Sequence, residues 1–139
     1  MFRLHPQLAK DCFVIGQFPL CQLLLMNDQN YPWFILVPQR EDISEIYQLT
    51  AADQMMLWRE STDLAEVLAR HFAADKTNVA ALGNVVPQLH LHQIVRYRHD
   101  PAWPAPVWGK LPAVPYSEEG LQQLLSNLTP VLGDYLHLA

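Results

Sequence analysis

Charge is scarce in this chain of 139 residues: 17% are Asp, Glu, Lys or Arg, and the 9 basic side chains are outnumbered by 14 acidic ones, a formal charge of −5. That balance excludes a broad phosphate-tracking surface, so neither nucleic acid nor an anionic membrane is expected as a partner, and an anionic ligand must be met by a few local groups. Long apolar runs are also missing. Leu20 to Met26 falls far short of the roughly 20 residues that cross a bilayer, and Met1-Phe2-Arg3-Leu4-His5-Pro6 has no secretory apolar core, so a cytoplasmic protein is expected. Cysteine is limited to Cys12 and Cys21, which lack Cys-x-x-Cys spacing and sit in apolar text. They read as buried free thiols, and no cysteine-built metal site is expected. Internal repeats and low-complexity tracts are absent.

What is present is apolar: half of the residues are hydrophobic and 10% are aromatic, enough to offset the entropy of ordering one domain over residues 1–139. Residues 12–16 and 20–27 read as two strands across a Phe18-Pro19 break, and residues 32–38 as a third after the turn cluster Asn27-Asp28-Gln29-Asn30. Thr50 is placed to cap a helix with Asp53 in its first turn and Leu57, Leu64, Leu68 and Phe72 on one face. Residues 78–82 read as a fourth strand ending at Gly83-Asn84, and residues 88–97 as a fifth. Residues 101–116 hold five of the eleven prolines together with Trp103 and Trp108, a composition that excludes regular structure and predicts a loop. Ser117 then caps a C-terminal helix carrying Leu121, Leu124, Leu125, Leu128 and Leu132 on one stripe, with Pro130 expected to kink or split it. Strands interrupted by helices without regular alternation predict an α+β domain with a mainly antiparallel five-stranded sheet, one long helix and a C-terminal helix.

The segment Gln88-Leu89-His90-Leu91-His92-Gln93-Ile94 carries the chemistry. If it is a strand, side-chain alternation puts Gln88, His90 and His92 on one face and Leu89 and Leu91 in the core. Two imidazoles and an amide on a rigid strand are a preorganised cluster of donors, acceptors and nucleophiles. A polar sheet face with no reactivity accounts for the same spacing, and so does half of a tetrahedral zinc shell. His5, His71 and His137 are isolated and read as surface or helix-face residues. Arg96, Arg98 and His99 read as an exposed basic strand end that could also draw in a polyphosphate.

The segment resembles the histidine-triad superfamily of nucleotide hydrolases and transferases, whose mark is His-φ-His-φ-His-φ-φ, φ being hydrophobic, near the end of a small α+β domain. The resemblance extends to Gly83-Asn84-Val85-Val86-Pro87, to the strand end Met26-Asn27 and to Phe34-Ile35-Leu36-Val37-Pro38, and so covers most of the chain. The loop Trp103-Pro-Ala-Pro-Val-Trp108-Gly109 is similar to that of a bacterial subgroup. Here glutamine, Gln88, replaces the first histidine.

The resemblance implies hydrolysis of a nucleoside phosphate ester, anhydride or amide, such as a diadenosine polyphosphate. In that mechanism His90 is the nucleophile that forms a nucleotidyl-histidine, with its second nitrogen held by an acceptor such as a backbone carbonyl. His92 is the donor to phosphate. Asn27 is implied at ribose hydroxyls and Asn84 near the phosphates, although turn chemistry explains both asparagines equally well. Gln88 either preserves the hydrogen-bond network or removes a tuning partner. Trp33 stands where many relatives have a histidine that orients the nucleophile. No cofactor is implied, and a symmetric homodimer is, with Trp103 and Trp108 suited to a base pocket or a subunit interface. The alternative function is a catalytically weakened nucleotide-binding or protein-interaction module.

Overall fold

A computed structural model describes residues 1–133 and 136–138, without the side chains of residues 137 and 138. Six strands form one antiparallel sheet in the order β4-β5-β3-β2-β1-β6: β1 Cys12–Gln17, β2 Cys21–Met26, β3 Trp33–Pro38, β4 Lys76–Ala80, β5 Leu91–Arg96 and the two-residue β6 His137–Leu138. The first five answer to those expected, with β4 two residues earlier than 78–82 and β5 starting three residues later than Gln88, and β6 extends the sheet beyond β1. The backbone of His137 pairs with Gln17 in this edge strand and so lies on no helix, while its side chain, on which the expected surface position depends, lies outside the described residues.

Alternation along the strands sorts two cores. Leu23, Leu25, Phe34, Leu36, Leu91 and Val95 face the helix layer, where α2 (Ala51–His71) contributes Leu57, Leu64 and Leu68 and α3 (Glu118–Leu132) contributes Leu128 and Leu132. The Oγ1 of Thr50 accepts from the Asp53 N–H, and Ser117 Oγ from Gly120, so both helices start where their caps predict. Pro130 does not split α3. The helix runs on through it to Leu132, although the proline ring cannot donate to the Ser126 carbonyl one turn back. A buried carboxylate ties α2 to the sheet: Glu60 accepts the N–H groups of Leu20 and Cys21 at 2.8 and 2.9 Å, while burial pushes its pKa up.

Leu24, Trp33, Ile35, Val37 and Ile94 face the other way. That face is covered by a helix the sequence reading missed, α1 (Pro6–Asp11), and by the proline- and tryptophan-rich loop, through Leu8, Ala102 and Val107. The signal for α1 was Pro6 at its first position, with His5 Nδ1 accepting from the Gln7 N–H as its cap. Cys12 and Cys21 are buried free thiols on opposite faces, and burial pushes Cys12 up to about 12 and Cys21 higher still. Among the described residues no helix is long and apolar enough to cross a membrane.

Candidate active site

The site lies on the loop-covered face, at the start of β5. The strand begins at Leu91, not at Gln88, so the expected alternation applies to His92 but not to Gln88 and His90, which lie in the approach to the strand. His90 and His92 nevertheless meet. Their rings are 4.9 Å apart in an edge-to-face arrangement, and the residues are only 7% and 4% exposed.

Each imidazole is held by a partner with a fixed role. His90 Nδ1 lies 2.7 Å from the carbonyl oxygen of Gln88. A carbonyl can only accept, so Nδ1 carries a proton, and in the neutral imidazole Nε2 keeps its lone pair. Trp33 Nε1 lies 2.9 Å from His92 Nδ1, and an indole N–H can only donate, so the proton of His92 is on Nε2. Burial, with a smaller push from the adjacent His90 ring, lowers the His92 pKa to about 3, so it is neutral at pH 7. One ring thus offers a bare Nε2 and its neighbour an Nε2–H.

Two tryptophans wall this pair. Trp108 packs edge-on against His92 at 5.0 Å and against Trp33 at 5.8 Å, which places the far end of the loop over the site. Trp103 lies under the guanidinium of Arg96 at 5.5 Å. Arg96 itself corrects the expected exposed basic run. It is 1% exposed, and it donates twice to Asp100, once to Asn78 Oδ1 and once to the carbonyl of Ala105. Asp100 also accepts the N–H groups of Tyr97, Ala102 and Trp103. Burial alone would raise its pKa, but the guanidinium and the three N–H donors hold it below the ordinary value.

Two clefts lie nearby, one lined by the two tryptophans that touch His92 and the other by His90 itself. One, of about 380 Å³, is lined by Lys10, Asn27, Asp28, Trp33 and Trp108 among others. Its Asn27 spends Oδ1 on the N–H of Tyr116 at 2.8 Å, and Asp28 is a buried carboxylate whose Oδ1 accepts from Asn30 and Val114. Asp28 is a candidate the sequence reading overlooked, because it stood in what read only as a turn cluster. The other cleft, of about 360 Å³, lies along Ser44 to Tyr47, Ala81 to Gly83, Leu89 and His90.

Two further expected site residues lie in the approach to β5. Asn84 is exposed in the bend after Gly83, whose φ of +74° suits that turn. The amide of Gln88 faces the N-terminal segment: Oε1 accepts from the His5 N–H at 2.8 Å and Nε2 donates to the Arg3 carbonyl at 2.9 Å. Among the described residues no three His, Cys, Asp or Glu side chains converge as a metal site would need.

A HIT domain model matches residues 7–99. The chain is similar to a histidine triad protein from Marinobacter aquaeolei VT8, with 53% identity and a TM-score of 0.94 over 97% of this chain and 98% of that one. It is also similar to a histidine triad protein from Sinorhizobium meliloti 1021, with 45% identity and a TM-score of 0.91 over 94% and 96%. A histidine triad protein from Bradyrhizobium japonicum shows 41% identity and a TM-score of 0.90 over 93% and 96%. A comparison with curated proteins gives no match. The paired imidazoles at the start of β5, the domain match and these near-complete overlays agree: the chain belongs to the histidine-triad (HIT) family.

Proposed function

We propose that the protein hydrolyses a nucleoside phosphate ester, anhydride or amide, of which a diadenosine polyphosphate is an example, through a nucleotidyl-histidine intermediate. The observation that carries this reading is the pair of hydrogen bonds, His90 Nδ1 to the Gln88 carbonyl and the Trp33 indole to His92 Nδ1, which assign opposite roles to the two Nε2 atoms. His90 Nε2 attacks the α-phosphorus in line, a P–N bond forms, and the bond to the leaving group breaks with its electron pair. His92 Nε2–H donates to a phosphate oxygen as charge grows there in the transition state. Water then displaces His90 and releases the nucleoside monophosphate. Because burial keeps His92 neutral and the Trp33 donor leaves its proton on Nε2, it serves as a hydrogen-bond donor without needing to be an imidazolium.

Asn27 and Asp28 supply polar groups for ribose hydroxyls in the cleft walled by Trp33 and Trp108, whose rings offer a base an apolar surface. The acceptor oxygens fit neutral hydroxyls better than they fit phosphate. A symmetric homodimer belongs to the same reading. β4 is an edge strand, and Val79, Leu82 and the 88%-exposed Val85 lie on it or just beyond it, apolar surface that a second copy would cover. Light scattering of the purified protein is expected to give twice the 15.9 kDa chain mass.

Rapid-quench mass spectrometry with a diadenosine polyphosphate and with a nucleoside phosphoramidate tests the chemistry. A nucleotidyl adduct on His90 is expected. Unchanged turnover in His90→Ala would overturn the mechanism, and saturable binding by calorimetry with no product would identify a binding module instead.

A further inference from the structure

Residues 88–90 are not held by the sheet. β4 ends at Ala80 and β5 begins at Leu91, so the carbonyl that orients the His90 ring belongs to a segment outside the ladder. Two sets of bonds anchor that segment. The N–H of Leu89 donates to the carbonyl of Ile43 at 2.9 Å, and the side chain of Gln88 takes both the Arg3 carbonyl and the His5 N–H.

The second anchor depends on glutamine's shape. A carbonyl and an N–H two residues on point the same way along an extended chain, and a primary amide presents its donor and acceptor side by side to match them. An imidazole carries its two nitrogens on different edges of the ring and cannot serve both at once. The segment so gripped is itself fixed at its far end: His5 caps α1, Leu8 of α1 is buried, and the Asp11 carbonyl accepts the N–H of Asn27 at 3.0 Å. The N-terminal arm therefore runs from beside the candidate nucleophile to the cleft that holds Asn27.

We propose that Gln88 is a positioning residue, whose side chain clamps the N-terminal arm so that its own carbonyl holds the His90 ring with Nε2 directed at substrate. The glutamine in the triad's first place is then a gain of an anchor, and restoring histidine breaks it. The activity arm of the test rests on the function proposed above; the spectroscopic arm does not.

The experiment compares wild type with Gln88→Ala, Gln88→Glu and Gln88→His. It measures kcat and KM on a nucleoside phosphoramidate and the ¹⁵N shifts of the His90 imidazole in histidine-labelled protein. Wild type is expected to show the single Nδ1–H form. In Gln88→Ala and Gln88→His, mixed tautomers are expected, with kcat down about 30- to 100-fold and KM within about threefold, the pattern of a misaligned group and not of lost binding. Gln88→Glu keeps the acceptor for His5 and loses the donor to Arg3, and its loss should be intermediate. If Gln88→Ala does not fold, His5→Pro against His5→Ala isolates the same bond: proline fits the φ of −55° at this position but lacks the N–H. Unchanged shifts together with unchanged kcat, or a faster Gln88→His, overturn the proposal. A wild type without turnover whose His90 shifts still respond to Gln88→Ala overturns the hydrolase reading and leaves this one standing.

Discussion

The two faces of the sheet are built by different means. On one, strand residues such as Leu23, Leu36 and Leu91 meet Leu57, Leu64 and Leu68 of α2 and Leu128 and Leu132 of α3, a period of two packed on a period of 3.6. On the other, the cover is α1, an N-terminal arm and a loop of prolines and tryptophans, and the groups beneath include His90, His92, Trp33 and Arg96. Regular cover fills space and leaves no room for a ligand. Irregular cover leaves clefts, and it lays the loop's Trp108 edge-on against the His92 ring, beside the Trp33 donor that β3 supplies. The helix face should therefore set stability and the loop face should set activity.

Substitutions can break that division. His90→Ala should lower turnover by about 10⁴-fold, equivalent to about 5.5 kcal/mol of transition-state stabilisation, with the thermal midpoint little changed. A comparable loss from a leucine substitution at equal folded fraction would erase the contrast. Arg96→Met crosses it: leaving Asp100 buried and unpaired should cost about 4 kcal/mol in a urea titration and shift tryptophan fluorescence as the loop loosens. Leu64→Ala, on the helix face, should cost about 3 kcal/mol while kcat/KM of the folded fraction stays within about twofold.

Acid offers a finer test. The pKa of His92 lies near 3 in the fold against 6.5 when unfolded, so the unfolded chain takes up the proton first. Stability from this residue is full above pH 6.5, is lost as pH falls towards 3, and is about 2 kcal/mol lower at pH 5. Urea midpoints at pH 7 and 5 should show that loss in wild type and not in His92→Gln. Asp100, held below its usual value, adds a loss of the same sign only at lower pH. The smallest effect belongs to Trp33→Phe, which keeps the apolar ring but frees the tautomer of His92. Turnover should fall about tenfold, or about 1.4 kcal/mol.

The same division explains what could be read from the sequence. Thr50 with Asp53 three residues on, and Leu57, Leu64 and Leu68 on one face, announce α2 because cap and stripe are local. His90 and His92 were legible through their spacing and the familiar motif around them. The roles of their partners were not, since the Trp33–His92 bond spans 59 residues and the one between Gln88 and His5 spans 83. Alternation misled at Gln88 because the strand starts three residues later. Arg96 read as exposed because nothing local says that Asp100 folds back onto it, or that Asn78 and Ala105 take up its remaining donors.

That arginine and aspartate give the loop an unusual kinetic character. Asp100 holds the amide hydrogens of Tyr97, Ala102 and Trp103, and the carbonyl of Ala105 is held by Arg96, so none of these groups opens without parting a buried ion pair. In deuterium exchange, the amides of Tyr97, Ala102 and Trp103 should keep their hydrogens as long as a central strand does, although they lie in neither helix nor strand. The exposed stretch 111–113 of the same loop should exchange at once. One connection would then behave as two pieces, a slow one that belongs to the scaffold and a fast one free to adjust around whatever enters the cleft.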